Sequence, residues 1–340
     1  MESIKTMPQR LNTIFKILKV IGIVILAFIL LIAVYVVIEY NTVDEMLYTV
    51  NADGKTCTVT GAKDAETLFL NIPKETDGYT VTAIAPEAFS EYEIMIAIIP
   101  DTISKIGGGA FYSCKELRWV IGIEKCSSLT EIDEFTFAFC DSLLTIELPQ
   151  SIEVIDECAF LECVMLTNIS IPSNVNTIGL GAFGTCIRLK QINIPASVSV
   201  IGELAFAGTP SLKNLNVDES NPYWCYVDGV LYNKDMKTLH SYLNGKNDKS
   251  FTIPDGVTTI FNCAFAYHKN LEAIEIPNSV KKIGEDIFDS ASKIHTIRYD
   301  GTIEMWKKIT KSFDWNEGAP NFTIYCTDGQ ITKDGTVTYN

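Results

Sequence analysis

The sequence predicts a repeat solenoid, rich in short parallel β-strands, that follows one N-terminal transmembrane helix. Three observations predict it. One sequence frame returns several times along the chain, and neighbouring copies lie about 23 residues apart. An uncharged apolar run precedes the first copy. Such periods are typical of solenoids, in which each repeat buries its apolar side against the next.

The repeat is clearest in three segments, LTNISIPSNVNTIGLGAFGTC (166–186), LKQINIPASVSVIGELAFAGT (189–209) and LEAIEIPNSVKKIGEDIFDSA (271–291). A phenylalanine near the end of the frame indexes eight copies, namely Phe89, Phe111, Phe137, Phe160, Phe183, Phe206, Phe265 and Phe288. Their successive positions differ by 22, 26, 23, 23, 23, 59 and 23. A period near 23 is typical of leucine-rich repeats. The step of 59 indicates an insert that adds about 36 residues to one period.

Each part of the frame has a physical explanation. The pattern L-x-x-I-x-I alternates at its end, as a strand with one buried face does. Proline then ends the strand pairing, and the glycine of V-x-x-I-G is expected to adopt dihedral angles that a side chain resists. Each phenylalanine is predicted to stack on the next along one continuous apolar interior, and burial of such a ring contributes roughly 1.5–3 kcal/mol.

Residues 20–38 read VIGIVILAFILLIAVYVVI, which is 19 residues without a charge. At 1.5 Å per residue this run spans roughly 28 Å, close to the hydrocarbon thickness of a bilayer. Basic residues precede the run and acidic residues follow it, which predicts a cytoplasmic N-terminus. The run is long for a cleaved signal peptide and ends without small residues. It is therefore interpreted as an uncleaved signal anchor that places the repeats outside the cell.

These features predict five regions. Residues 1–19 form a cytoplasmic stub, 20–38 the transmembrane signal anchor, and 39–67 a linker with a β-hairpin cap that turns at Asp53 and Gly54. Residues 68–299 form the leucine-rich repeat solenoid, with the insert at about 218–250, and 300–340 form a C-terminal cap or tail.

The IP…V…IG…AF…C frames resemble those of the BspA-like leucine-rich repeat family, over roughly residues 68–309. The segments 221–246 and 297–309 also resemble the insert and the terminal segment of that family. The turn around 122–140 departs from the pattern, because it lacks the Ile-Pro pair and has Thr136 where alanine is usual. The resemblance implies display on a bacterial cell surface and adhesion, but it implies no particular ligand.

Neither a catalytic site nor a metal or cofactor site is predicted, and the protein is not expected to be an enzyme.

Of the ten cysteines, Cys114, Cys140, Cys163 and Cys186 each lie three positions after an indexing phenylalanine. Side chains in one column point the same way, so a buried ladder of thiols is favoured over disulfides. The three histidines lie in separate segments and are expected at the surface, and no cysteine spacing indicates zinc.

The outward side of the strands is where ligand-binding residues are expected. The candidates are Arg118, Trp119, Asn168, Ser170, Gln191, Asn193, Asn214 and Asn216. They predict a surface protein that binds an extracellular protein or glycan, with Trp119 as the anchor. The alternatives are a plain solvated sheet face and a structural spacer or scaffold of the envelope without a dedicated ligand. The net charge of −15 argues against nucleic acid as a partner.

Overall fold

The computed structural model describes residues 46–340. The predicted stub at 1–19 and signal anchor at 20–38 lie outside the described residues. Between residues 46 and 340, every helix is too short or too polar to cross a membrane. The described chain is a β-solenoid of about 12 turns. It therefore has more turns than the eight phenylalanine-indexed copies suggest.

An N-terminal sheet covers the start of the solenoid. Its strands are β1 Met46–Val50, β2 Thr56–Ala62, β4 Glu75–Thr76, β5 Tyr79–Ile84 and β7 Lys105–Ile106. Strands β1 and β2 form an antiparallel hairpin, in which the Asp53 side chain accepts hydrogen bonds from the backbone of Lys55 and Thr56. Strand β2 then pairs in parallel with β5, so the hairpin occupies what is otherwise an open sheet edge.

The L-x-x-I-x-I segments form the first strand column, which is a seven-stranded parallel sheet. Its strands are β3 Phe69–Asn71, β6 Ile96–Ile98, β8 Trp119–Ile121, β10 Thr145–Ile146, β12 Asn168–Ile169, β14 Gln191–Ile194 and β16 Asn214–Val217. Each inner strand pairs with the strands one turn before and after it. The predicted parallel pairing between turns is confirmed.

The V-x-x-I segments form a second strand column. Its four-stranded part consists of β9 Glu131–Ile132, β11 Val154–Ile155, β13 Thr177–Ile178 and β15 Val200–Ile201. A 3₁₀ helix, Ile123–Lys125, fills the irregular turn that precedes β9. Thr136, which departs from the repeat pattern, is fully buried, and its hydroxyl donates to the backbone oxygen of Asp133.

The insert breaks both columns and then restarts them. Strands β17 Trp224–Val227 and β18 Val230–Asn233 form an antiparallel hairpin, and β18 pairs with β19 Thr238–Tyr242. The later strands are β20 Ser250–Thr252, β21 Thr259–Ile260, β22 Ala273–Ile276, β23 Lys282–Ile283, β24 Thr296–Tyr299, β25 Thr310–Lys311 and β26 Thr323–Cys326. Strand β19 pairs in parallel with β21, so the insert supplies the first strand of the restarted second column.

The solenoid continues beyond residue 299, past the expected start of the C-terminal cap. Strand β26 pairs in parallel with β24, and one short helix, α1 (Ile303–Lys308), connects them. The Thr302 hydroxyl caps this helix by accepting from the backbone N–H of Met305. Antiparallel strands β27 Gly329–Thr332 and β28 Val337–Tyr339 then close the sheet edge.

The phenylalanines stack as the repeat predicts. Six successive rings from Phe89 to Phe206 lie with centroids 5.4 to 6.0 Å apart, and Phe183 is fully buried. The residues two before and two after each indexing phenylalanine have positive φ, namely Glu87 and Glu91, Gly109 and Ser113, Phe135 and Phe139, Cys158 and Glu162, Gly181 and Thr185, Leu204 and Gly208, Cys263 and Tyr267, and Asp286 and Ser290. This fixed backbone turn aims every ring into the interior.

The glycine of the I-G pair is required by a close approach between turns and not by its dihedral angles. A Cβ on Gly179 would lie 2.6 Å from the backbone of Asp156 and Glu157. A Cβ on Gly202 would lie 2.4 Å from the backbone nitrogen of Leu180. The expectation about dihedral angles was therefore wrong at these positions, since positive φ occurs beside the phenylalanine instead.

The interior consists of two apolar clusters and not of the single core that the repeat predicts. One cluster extends from Cys57 in β2 to Leu243, and the other from Val230 in β18 to Ile331 in β27. The insert contributes residues to both clusters. Because the insert interrupts the stacking, Phe206 and Phe265 are not ring neighbours, and polar side chains occupy the boundary.

Candidate functional site

The outward side of the first strand column, here called the strand face, brings the predicted residues together. Inward residues such as Ile169 and Ile192 are buried, and the residues that alternate with them point outward. All eight candidates are exposed, namely Arg118, Trp119, Asn168, Ser170, Gln191, Asn193, Asn214 and Asn216. Alternation along a strand explains the outward position of seven of them, whereas Arg118 precedes β8 and lies outside the alternating positions.

Parallel pairing in register aligns these residues into a row. Trp119 pairs with Thr145, Thr145 with Asn168, Asn168 with Gln191, and Gln191 with Asn214. Strands are about 4.8 Å apart, so this row extends over roughly 19 Å. In the neighbouring row the Asn216 amide donates to the Asn193 side-chain oxygen at 2.9 Å. Most side chains in these rows are uncharged, although the chain as a whole is strongly acidic.

An apolar patch lies at the N-terminal end of the strand face. Trp119 is 38% exposed and Ile121 in the same strand is 48% exposed. Leu68, just before β3, is 43% exposed. Ile96 also points outward, but only 5% of it is exposed, because its registered neighbours are Phe69 and Trp119. Trp119 and Ile121 therefore form an exposed apolar pair on β8, and Leu68 lies two strands away, beyond the buried Ile96. The sequence alone did not indicate this arrangement.

The outward side of the restarted column is charged instead of amide-rich. Thr252, Glu275, Arg298 and Tyr325 align in register across four strands. The Thr252 hydroxyl donates to Glu275 at 2.9 Å, and Arg298 lies 3.8 Å from the same carboxylate. These residues line an open groove of about 490 Å³. The sequence did not indicate this groove because Tyr325 lies outside the recognised repeats.

The aromatic residues of the insert divide between the surface and the interior. Tyr223 is exposed, whereas Trp224 and Tyr226 pack against the first core cluster. The Trp224 ring meets His240 edge to face at 5.0 Å, and its buried Nε1 has no hydrogen-bond partner among residues 46–340. This cluster is mainly structural.

Two of the three histidines are buried, contrary to the surface positions expected for them. His240 Nε2 donates to the backbone oxygen of Ile201 at 3.0 Å, and burial lowers the pKa of His240 to about 4. His268 Nε2 donates to the backbone oxygen of Tyr242 at 2.7 Å, and burial lowers its pKa as well. His295 is exposed. His240 replaces a backbone hydrogen bond between turns, and His268 lies three residues after Phe265, at the position that cysteines occupy in earlier turns. Both rings therefore have a structural role.

The cysteine column forms a ladder of thiols. Each Sγ of Cys114, Cys140, Cys163 and Cys186 lies 3.0 to 3.2 Å from the backbone oxygen of the phenylalanine one turn earlier and donates to it. Burial raises the pKa of Cys114 and Cys186 to about 12 and that of Cys140 and Cys163 well above its usual range. All ten cysteines are free, and these four remain protonated donors.

Two groups of carboxylates come together on the described surface. They are Glu131, Asp133 and Asp156, and Asp286, Asp314 and Glu317. Partial burial raises the pKa of Glu131 and of Asp286, and the neighbouring carboxylates raise both further. Carboxylates this close are chemically able to hold a hard cation. The sequence did not indicate either group, because each joins residues from different turns.

The two strand columns, the stacked phenylalanines and turns of about 23 residues define a leucine-rich repeat solenoid. The sequence profile of the BspA type leucine rich repeat region matches residues 82–213 and 239–325 in six copies. The chain therefore belongs to the BspA type leucine-rich repeat family, as its repeat frame predicted. No curated protein matches the chain.

Solved structures of bacterial proteins share the fold. The pneumococcal vaccine antigen PcpA is 28% identical with a TM-score of 0.63, over 75% of this chain and 68% of PcpA. A leucine-rich repeat protein from Bacteroides ovatus is 25% identical with a TM-score of 0.52, over 75% and 70% of the two chains. A leucine rich cell surface protein from Faecalibacterium prausnitzii is 22% identical with a TM-score of 0.55, over 78% and 96%, and this likeness concerns the fold alone.

Proposed function

We propose that this protein is displayed on the cell surface and binds an extracellular protein or glycan through the strand face. In this proposal residues 20–38 anchor the chain in the lipid bilayer, the N-terminus stays in the cytoplasm, and the solenoid lies outside the cell. The apolar length of that segment and its basic N-terminal flank support the topology. The 28% identity to PcpA, which is a vaccine antigen, supports surface display.

The observation that carries the binding proposal is the exposed apolar patch of Trp119, Ile121 and Leu68 beside the row of amides. Burial of such side chains is favourable, so exposed apolar side chains grouped on one face indicate a surface that a partner covers. Tryptophan is enriched among the residues that contribute most to binding free energy, particularly when polar groups surround it. The amides of Asn168, Gln191 and Asn214 offer both donors and acceptors to a partner backbone or to sugar hydroxyls.

The function proposed is binding without catalysis. His240 and His268 are buried in structural hydrogen bonds, and the exposed His295 ring is bonded to the hydroxyl of Thr296. The thiols of the cysteine ladder are held protonated in the interior, where they are poor nucleophiles. The alternative is a scaffold role without a ligand, and the binding experiment distinguishes the two.

The experiment uses the full-length chain, purified in mild detergent, on arrays of extracellular matrix proteins and glycans. A ligand found there is titrated against the wild type, Trp119→Ala and Val200→Ala. Val200 is an exposed apolar residue of the second column, away from the strand face, so it controls for the loss of an exposed apolar side chain. We expect Trp119→Ala to weaken binding at least about tenfold, which is about 1.4 kcal/mol, and Val200→Ala to have no effect.

Two results would contradict the proposal. The first is the absence of saturable binding to any array component, which would favour the scaffold role. The second is a ligand whose affinity is the same for Trp119→Ala and for Val200→Ala, which would move the binding surface elsewhere. Protease treatment of intact cells tests the topology separately, since an external solenoid is degraded and an internal one is protected.

A further inference from the structure

A recessed cavity of about 320 Å³ lies where the first part of the solenoid, the insert and the second part meet. We call it the junction cavity. Its lining comes from residues around 185–187 and 208–210, from 244–247 in the insert, and from 267–270. The volume is within the range of small-molecule sites, roughly 300–1,000 Å³. The cavity exists only because the insert bridges the two parts.

Hydrogen bonds between side chains and backbone hold the walls of the junction cavity in place. The Asn244 side-chain oxygen accepts from the backbone N–H of Gly208 at 2.8 Å, and its amide donates to the backbone oxygen of Ala266 at 3.0 Å. A second bond of 2.8 Å runs from the Asn270 amide to the Asn247 side-chain oxygen. One insert residue thus ties together both parts of the solenoid, and the cavity is preorganised.

The charge of the lining is opposite to that of the protein. The lining contains two lysines, Lys246 and Lys269, and no carboxylate, in a chain of net charge −15. Lys246 Nζ has a loose ion pair with Asp248 at 4.0 Å. Lys269 makes no ion pair with any residue from 46 to 340. Two ammonium groups at a preorganised cavity favour a ligand with one negative charge.

Polar atoms without partners add a second requirement. His268 lines the cavity, and because its Nε2 donates to Tyr242, its Nδ1 is an acceptor and has no partner among the described residues. The buried Thr185 hydroxyl, also in the lining, likewise has no hydrogen-bond partner between residues 46 and 340. A buried hydroxyl is normally hydrogen-bonded, so Thr185 Oγ1 is available to a hydroxyl group of a ligand, as is the acceptor His268 Nδ1.

The remaining lining is apolar and includes Ile187, Pro210 and Tyr267. A pyranose ring matches this combination, since it has an apolar face of C–H groups and hydroxyls around its edge. We propose that the junction cavity binds a monosaccharide unit that carries a carboxylate, such as a uronic acid residue. The carboxylate pairs with Lys246 and Lys269, the hydroxyls bond to His268 Nδ1 and the neighbouring amides, and the ring face lies on Tyr267.

This inference does not depend on the strand face. The junction cavity lies on the turns that follow the indexing phenylalanines, and none of its lining residues belongs to the first strand column. A substitution at Trp119 therefore leaves it intact, and failure of either proposal leaves the other standing.

Calorimetric titration of the full-length chain tests the proposal with three probes, which are glucuronate, glucose and inorganic phosphate. We expect saturable binding of glucuronate, and binding of glucose and of phosphate at least about tenfold weaker. Added salt is expected to weaken glucuronate binding, because it screens exposed ammonium groups. Saturation-transfer NMR is expected to place the ring C–H protons of one face against the protein.

Variants locate the site. Lys246→Gln and Lys269→Gln each remove one charge from the lining and are expected to weaken glucuronate binding at least about tenfold. Lys115→Gln removes an exposed charge distant from the cavity and should bind as the wild type does, as should Trp119→Ala. The proposal is overturned if no probe binds, if glucose or phosphate binds as tightly as glucuronate, or if neither cavity lysine affects the affinity.

Discussion

His240 Nε2 lies 3.0 Å from the backbone oxygen of Ile201, the last residue of β15. His240 itself is in β19, the strand that restarts the second column. A histidine side chain thus makes a hydrogen bond that a backbone N–H makes between other neighbouring turns. Its ring is also packed against Phe261 at 4.8 Å. The two parts of the solenoid are therefore joined at a buried, neutral imidazole.

Acid is expected to destabilise this junction. Burial lowers the pKa of His240 from 6.5 to about 4, so the folded protein binds the proton less readily than the unfolded chain does. Stability from this group is fully present above about pH 6.5 and is lost as the pH falls towards about 4. The pKa shift corresponds to a decrease in the free energy of unfolding on the order of 3 kcal/mol. Urea unfolding at several pH values between about 7 and about 4 measures it.

The matched variants for this prediction are His240→Gln and His295→Gln. The first removes the buried titrating ring, so its unfolding midpoint is expected to be lower at neutral pH and to vary less with pH. The second removes an exposed ring bonded to the neighbouring Thr296 and should follow the wild type. An unchanged pH dependence in His240→Gln would show that other groups control the acid response.

The stacked phenylalanines are expected to contribute strongly to stability. Phe183 lies between Phe160 and Phe206, with centroids 5.4 and 6.0 Å away, and is fully buried. Phe183→Ala removes contacts on both sides of the ring and should lower the free energy of unfolding by about 3–5 kcal/mol. Phe313 is fully exposed, so Phe313→Ala should change the free energy of unfolding by less than about 0.5 kcal/mol. Similar urea midpoints for the two variants would exclude the stack as a main source of stability.

Gly122 is expected to tolerate no side chain. It has φ +91° at the start of the 3₁₀ helix, and a Cβ there would lie 2.2 Å from the backbone oxygen of Ile99. Gly54 has φ +63° and no atom within 4 Å of an added Cβ, so it provides the matched control. Both alanine variants carry the left-handed backbone penalty, and only Gly122→Ala adds the clash. We expect Gly122→Ala to be less stable than Gly54→Ala by about 1–3 kcal/mol in thermal or urea unfolding.

Thiol titration checks the cysteine ladder. Seven of the ten cysteines are buried, and Cys225, Cys263 and Cys326 are partly exposed. In the native protein, an aromatic disulfide reagent should react at most with those three, because the buried thiols are shielded and protonated. After denaturation without a reductant, all ten should react. A count well below ten would reveal disulfides and contradict the ladder.

Part of the strand face could be predicted from the sequence, and part could not. Alternation alone placed Asn168, Gln191 and Asn214 outward, because a side chain that follows a buried one in a strand must point the other way. It did not reveal that Trp119 and Ile121 are both exposed on β8, with Leu68 exposed two strands away. These exposures depend on which strands are neighbours: Ile96 also points outward but is buried, and Trp119 is one of its registered neighbours.

The repeat, its family, the two-sided strands and the column of stacked phenylalanines could all be predicted from the sequence. These features follow from contacts between one turn and the next, and such contacts recur with the period of the sequence. Only the tertiary structure decided the burial of His240 and His268, the division of the core, the junction cavity and the reason for Gly179. These depend on contacts that are made once, by the insert with both parts of the coil, or on the approach of two backbones. Neither leaves a periodic pattern in the sequence.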